Sequence, residues 1–288
     1  MNWKTALSDK KDYAPMPLRI VQSKQNVRLK DLRRALAQPG RDASGLAGIE
    51  GPNLLEEALR AGLRIPTVFV AQGAEHLLDR LALPAETEVL LLPKDLLDSA
   101  LATETPQSVA ALVEPPNWTW DDIFISPAKA APLIVILAGL QDPGNLGTIL
   151  RSAEAFGAQA VLSLPGTVSA WNPKAVRASS GSVFRLPQLS VSVEDCFARL
   201  RKAGMKIWTT AVRGAKAANH IDLTGPVALL IGNEGNGVPE ELAALADGAV
   251  TIPCPGPVES LNAAIAVSVL LYEANRQRSN HKPKGSAI

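Results

Sequence analysis

Histidine and cysteine are scarce in this chain, with three of the first and two of the second among 288 residues. Cys196 and Cys254 form neither a disulfide framework nor a metal-ligand spacing, and isolated thiols suit a reducing compartment. His76, His220 and His281 stand apart from the glycine-rich segments described below, and no Ser-His-Asp or Cys-His arrangement can be drawn from them. No metal site and no nucleophilic triad is therefore expected. Excess charge is missing too: 29 Lys and Arg face 28 Asp and Glu, so overall charge announces no nucleic-acid or membrane partner. Long apolar runs are absent as well. The longest lies near residues 263–272, well short of the ~20 residues that cross a bilayer. The opening MNWKTALSDKKDY is polar and lacks a signal-peptide core. The expectation is a soluble, cytoplasmic protein with no membrane contact.

The chain does have a normal globular composition, 47% apolar and 20% charged, and length for about two domains. Residues 1–18 read as a flexible lead-in. Residues 19–41 are basic, with Arg19, Lys24, Arg28, Lys30, Arg33, Arg34 and Arg41 opposed locally by Asp31 alone. That stretch reads equally as a solvated helix face or as an RNA contact. IEGPNLLEEALRAG predicts a helix opened at Gly51-Pro52 and closed by Gly62. TVFVA, EVLLL and SVAALVE predict strands, with helices over 74–83 and 94–103 between them. This alternation makes residues 19–115 a small α/β domain. Prolines 115, 116, 127 and 132 mark 116–131 as a linker. Residues 132–280 form a second α/β domain. LIVILAGL, AVLSL, KIWTTAV, VALLIG and VTIP read as strands of a parallel sheet buried on both faces. Helices are predicted from Asp142-Pro143 to Gly157, through NPKAVRASSGSVF, and over 193–203, VPEELAALA and 260–278. Residues 281–288 read as a disordered tail.

Three loop-to-helix segments each follow a strand: GLQDPGNLGTILRSAEAFG at 139–157, IGNEGNGVPEEL at 231–242 and IPCPGPVESLNAAIAVSVLLYEANRQR at 252–278. Loops at the carboxyl ends of parallel strands are where open α/β sheets bind ligands, and glycine lets a ligand approach the main chain. No Lys-Ser/Thr of a P-loop is present, and GNEGNG is not a dinucleotide fingerprint. A chemistry that needs no metal, histidine or nucleophilic side chain fits best. Methyl transfer from a sulfonium qualifies, because the donor arrives activated and the protein chiefly positions the reactants.

These three segments resemble the signature motifs of the SpoU/TrmH branch of the SPOUT methyltransferases. Asn145, Gly147, Arg151, Ala153 and Gly157 match the first, and Gly232, Asn233, Glu234 and Gly237 the second. Ile252, Pro253, Gly256, Ser260, Leu261 and Asn262 match the third, which runs into LYE at 271–273. NPKAVRASSGSVFRLP at 172–187 also resembles the family's intervening segment. The N-terminal domain is similar, through EGPNLLEEAL and TPQSVAAL, to the L30e-like RNA-binding domain that often precedes this catalytic domain. The resemblance implies a parallel-sheet SPOUT domain with a trefoil knot, a homodimer whose site is completed across the twofold, and S-adenosyl-L-methionine as cofactor. It implies 2′-O-methylation of a ribose in a structured RNA, with rRNA favoured over tRNA. The alternatives are a non-catalytic RNA-binding protein that kept the fold and an antibiotic-resistance rRNA methyltransferase.

By the same resemblance Arg151 activates the ribose hydroxyl. A guanidinium is a fixed cation and a fork of donors, suited to a phosphate and a developing oxyanion together. Its plain structural alternative is a helix-surface pair with Glu154, three residues on. Asn145 and Asn262 shape the site or cap helices. Glu234 orients Arg151 or an amide neighbour, or sits as a carboxylate at a helix N-terminus. Ser260 belongs to the catalytic set or is the N-cap of the last helix. Gly232, Ile252 and Leu261 match positions whose main chain touches the cofactor, and Thr210 lines the same pocket. Many relatives have S-L-N-V-S where this chain has S-L-N-A-A, so Ala264 removes a hydroxyl near the site.

Overall fold

The computed structural model describes residues 18–38, 45–101, 103–124, 131–211, 214–257 and 260–280. Most of the expected lead-in, Arg41, Pro127 and the expected C-terminal tail lie outside the described residues.

The N-terminal unit is a five-stranded sheet, β1 (Leu18–Ile20), β2 (Ala47–Glu50), β3 (Thr67–Ala71), β4 (Glu88–Leu92) and β5 (Val109–Val113), in the order β1-β4-β3-β5-β2. β1, β4 and β3 run parallel, while β5 is antiparallel to β3 and β2. Helix α1 (Val27–Ala37) is capped by Asn26, whose side chain accepts the Leu29 amide. Helix α2 (Pro52–Arg60) starts with proline at its first position, after Gly51 at φ 101°. β2 was hidden in the sequence because Gly48 interrupts its apolar run. A Cβ at Gly48 would lie 2.8 Å from Leu36 Cγ, so glycine is what lets α1 rest on the strand. The helix expected over 74–83 is a single 3₁₀ turn, Glu75–Leu77, followed by tight turns that fold Leu78 and Leu83 into the core. Helix α3 (Lys94–Asp98) is shorter than expected.

The stretch expected to be a linker contains helix α4 (Trp120–Phe124), and that helix belongs to the C-terminal packing. Ile123 is fully buried in the core there. The Trp120 indole N–H donates to Asp195 (2.8 Å), and Arg199 stacks over its ring.

The C-terminal unit is an all-parallel seven-stranded sheet. Its strands are β6 (Leu133–Leu137), β7 (Ala160–Ser163), β8 (Gln188–Ser190), β9 (Lys206–Thr210), β10 (Lys216–Ala217), β11 (Val227–Ile231) and β12 (Gly248–Thr251), in the order β10-β12-β9-β11-β6-β7-β8. Every neighbouring pair is parallel. β8 and β10 are too short to carry a periodic signal. Along β6, Leu133, Val135 and Leu137 face one core while Ile134 and Ile136 face another. This strand is buried on both faces, as an unbroken apolar run requires.

Helices α5 (Pro143–Ala155), α8 (Val193–Lys202), α9 (Glu240–Ala243) and α10 (Ala263–Asn280) cover the sheet. The helix expected through 172–184 is two, α6 (Pro173–Ser179) and α7 (Ser182–Arg185), because Ser180 (φ 50°) and Gly181 (φ 88°) turn the chain left-handed between them. α5 and α6 cross closely at Gly147, where a Cβ would meet the Ala175 carbonyl oxygen at 2.3 Å. Among the described residues no helix is long and apolar enough to cross a membrane.

Candidate active site

β6, β11 and β12 place the three glycine-rich segments at one end of the parallel sheet. Each segment leaves the carboxyl end of its strand, and β6 and β11 are hydrogen-bonded neighbours. The Ala138 amide donates to the Ile231 carbonyl (2.8 Å), and the Asn233 side-chain amide donates to the Gly139 carbonyl (2.8 Å), so the first two loops are fastened together.

The second loop is a tight reversal. Asn233 and Gly237 exchange both main-chain hydrogen bonds, and the Asn233 side chain accepts the Gly235 amide. A Cβ at Gly232 would fall 2.0–2.2 Å from main-chain atoms of Gly237 and Val238. Only glycine permits this approach.

Beside this loop opens a cleft of about 840 Å³. Thr210, Gly232, Ile252 and Leu261, the four expected cofactor residues, all line it, together with Glu234 and Ser260. Ile231, Val250 and Leu270 supply apolar wall, and the 232–237 turn supplies main-chain polar groups. A slot in which apolar walls face fixed main-chain polar groups is what a nucleoside with a flat base and a polar ribose requires. The residues present therefore fit an adenosine-bearing cofactor. Thr210 donates its hydroxyl to the Leu230 carbonyl (3.3 Å) at the slot's floor. Cys254, which no motif singled out, also lines the cleft.

At the rim the first and third segments join through side chains. The Asn262 side-chain amide donates to Asn145 Oδ1 (3.0 Å), and Asn145 Nδ2 donates to Glu234 (3.0 Å). Glu234 also faces the Gln141 and Asp142 amides at 3.5 and 3.4 Å. Burial acts to raise the Glu234 carboxyl pKa, but the hydrogen bonds from Asn145 and from main-chain amides outweigh it and hold it below the ordinary value of 4.5. Glu234 thus takes the amide-neighbour role and not that of an Arg151 partner. Asp142 caps α5 by accepting the Gly144 amide (2.7 Å), and the Lys174 ammonium on it (3.0 Å) holds its carboxyl low.

Asn262 keeps both expected roles, because its side-chain Oδ1 also accepts the Ala264 and Ile265 amides and caps α10. That corrects the last helix's start from Ser260 to Ala263, and Ser260 is not its cap. The missing hydroxyl at Ala264 leaves no gap, since Ala264 is buried and its main chain is engaged by Asn262 and by Ser268.

Arg151 is exposed on α5, outside the cleft lining. The pair with Glu154, its structural alternative, does not form. Glu154 is taken by Arg185 in a two-pronged contact (2.6 and 3.1 Å), and Arg151 instead donates to the Ser180 hydroxyl (3.2 Å). Sequence reasoning passed over Ser180 and Arg185, although the Ser-Ser-Gly turn at 179–181 was a visible breaker signal.

The basic stretch is also answered across the fold. Arg19 and Arg28 both reach Glu88 (3.2 and 3.4 Å), and Arg34 pairs with Asp31 (2.6 Å).

Comparison with known proteins places this geometry. A family model described as the SpoU rRNA Methylase family matches residues 132–272, and one described as an MRM3-like substrate binding domain matches residues 26–111. The chain is 30% identical over 259 residues to the 23S rRNA (guanosine(2553)-2′-O)-methyltransferase RlmP of Bacillus subtilis, covering 88% of this chain and 98% of that protein. Among solved structures it is similar to the SpoU methyltransferase AviRb of Streptomyces viridochromogenes in complex with AdoMet. There the TM-score is 0.77 at 32% identity, over 90% of this chain and all of that one. An AdoMet-bound rRNA methyltransferase from Sinorhizobium meliloti superposes with TM-score 0.76 at 33% identity, over 90% and 98% of the two chains.

Proposed function

Because the chain belongs to the SpoU rRNA methylase family, we infer that it transfers the methyl group of S-adenosyl-L-methionine to a ribose 2′-hydroxyl of ribosomal RNA. The observation that carries this is a cleft lined by the second and third loops, with the first loop tied to its rim by the Asn262–Asn145–Glu234 chain. The cofactor supplies a methyl group already activated by its sulfonium.

Gly232, Ile252, Leu261 and Thr210 hold the adenosine part in the cleft, chiefly through main chain and apolar surface. The asparagine–glutamate chain keeps the three loops at fixed spacing, so the acceptor meets a preorganised rim. Ser260, exposed on that rim, belongs with it. Arg151 is the catalytic residue. Its guanidinium binds the phosphate next to the target ribose and stabilises the negative charge that develops on O2′. A guanidinium keeps its proton near neutral pH, so its part is electrostatic and not that of a base; the hydroxyl proton leaves to solvent water as O2′ takes the methyl group.

We also propose a homodimer. Ile265, Val269 and Tyr272 form one face of α10 and remain 54%, 38% and 56% exposed, an apolar stripe that a twofold mate would cover. α5, which carries Arg151, is joined to α10 through the Ser152–Ser268 hydroxyl contact (2.7 Å). Arg151 lies outside its own chain's cleft lining, which supports a site completed across the dimer. The trefoil knot that the family resemblance implies is part of this proposal, and Asn262 meets Asn145 at that end of the sheet. The first domain, residues 19–115, holds the RNA, and an rRNA substrate puts the protein's work in the cytoplasm.

Two measurements test the reading. Calorimetry with S-adenosyl-L-methionine in the presence of a chelator should give one site per chain. Mapping of 2′-O-methyl groups in rRNA from a deletion strain should show one ribose unmodified. No heat at millimolar cofactor together with an unchanged methylation map would overturn it.

A further inference from the structure

α5 carries Arg151 and Glu154 three residues apart, a spacing at which opposite charges meet on one helix face. If they met, the guanidinium would be neutralised on its own helix. They are kept apart by Arg185 at the end of α7. Its Nε donates to Glu154 Oε1 (2.6 Å) and its Nη2 to Oε2 (3.1 Å), so both carboxylate oxygens are used. Its remaining arm, Nη1, donates to Glu57 Oε2 (2.6 Å) on α2 of the N-terminal unit. The three side chains are only 24–34% exposed, which strengthens a planar two-pronged contact over a solvated one. Glu57 also lies against the turn that holds Ser180: a Cβ on Gly181 would come within 2.7 Å of Glu57 Cβ. Ser180, left-handed in that turn, accepts the hydrogen bond from Arg151 (3.2 Å).

We propose that Arg185 is a positioning residue for the methyl transfer. By saturating Glu154 it keeps Arg151 unpaired and available to the RNA, and Glu57 brings the N-terminal domain into the same contact. This rests on Arg151 being the catalytic cation. Without Arg185, the partly buried Glu154 carboxylate has Arg151 as its nearest cation along the helix, and their pairing withdraws the guanidinium from substrate.

The test compares four full-length variants by cofactor calorimetry and by single-turnover methyl transfer to rRNA. Arg185→Ala should lower the rate on the order of tenfold with cofactor affinity unchanged, because the loss falls on the acceptor side. Glu154→Gln should stay near the wild-type rate, since no carboxylate is left to compete. The double variant Glu154→Gln/Arg185→Ala should recover most of what Arg185→Ala loses. If the contact served only to hold the fold, Glu154→Gln and Arg185→Ala would be equally slow and the double variant no faster, and the proposal would be overturned. If Arg185→Ala proves insoluble, Arg185→Lys with and without Glu154→Gln makes the same comparison. Arg151→Ala is the reference variant. Full activity in it refutes the assignment of Arg151 itself, whereas an inactive Arg151→Ala beside a fully active Arg185→Ala refutes the role of Arg185 alone.

Discussion

Replacing Arg151 with alanine should separate chemistry from folding more cleanly than any other change in this molecule. In the free protein the side chain is exposed and has a single hydrogen bond, to an uncharged hydroxyl at 3.2 Å. Losing one such bond at a solvated site costs under about 1 kcal/mol of stability. No described carboxylate depends on Arg151, because Glu154 is held by Arg185, so no charge is stranded by the change. The cleft that takes the cofactor does not include it. In the proposed mechanism the same side chain faces a developing oxyanion in the transition state, and removing one such donor costs at least ~3 kcal/mol, on the order of a hundredfold in rate. Arg151→Ala should therefore melt within a few degrees of the wild type, bind S-adenosyl-L-methionine normally, and lose at least about a hundredfold in tritiated-methyl transfer to rRNA. Arg151→Lys should recover only part of this, since a point charge cannot replace a two-pronged donor. Near-normal turnover in the alanine variant would show that Arg151 is a surface residue of α5 and that the O2′ charge is met by other groups.

Gly232→Ala drives a methyl into main-chain atoms of Gly237 and Val238 that cannot rotate away, so the turn must open. The cost expected for such overpacking is about 1–3 kcal/mol, read as about fivefold or more weaker cofactor binding by calorimetry; unchanged affinity would mean that the turn does not shape the slot. The Glu234 carboxyl sits below 4.5, so its contribution is present above that value and is lost as pH falls through the folded-state pKa. The stability gap between wild type and Glu234→Gln in chemical denaturation should therefore shrink as pH drops below about 4.5, and a gap independent of pH would deny the carboxylate's role in joining the loops. Tyr272→Glu places a charge in the exposed α10 stripe and should yield folded monomers by light scattering; a dimer that survives it has its interface elsewhere.

How much of this could be read from the residues depends on how local the determining interaction is. The strands of the second sheet announce themselves because both faces are buried and every residue of LIVIL or VALLI is apolar. Asp142-Pro143 announces α5 because a cap and its proline are adjacent in the chain. Gly232, Asn145 and Asn262 were found because their patterns sit within short loops. β2 and the start of α10 were missed or misplaced for the opposite reason. Gly48 is there for a helix that packs on it from another part of the chain, and the cap of α10 is Asn262 although Ser260 has an equally good capping side chain.

Arg151 shows the limit most clearly. Its identity is local, but its environment is not. Along the helix, the rule of three residues nominates Glu154, and an exposed pair of that kind stabilises by about 0.2–0.5 kcal/mol. Across the fold, Arg185 offers Glu154 two short, partly buried, charge-assisted hydrogen bonds, each worth about 1.5–3 kcal/mol. The tertiary partner wins by a wide margin, and nothing within α5 reveals that it exists. The cation is left available by a residue 34 positions away on α7, which is itself held by Glu57 from the other domain. A motif can therefore nominate a group, while the reason that group has no carboxylate partner lies in contacts that only the folded chain assembles.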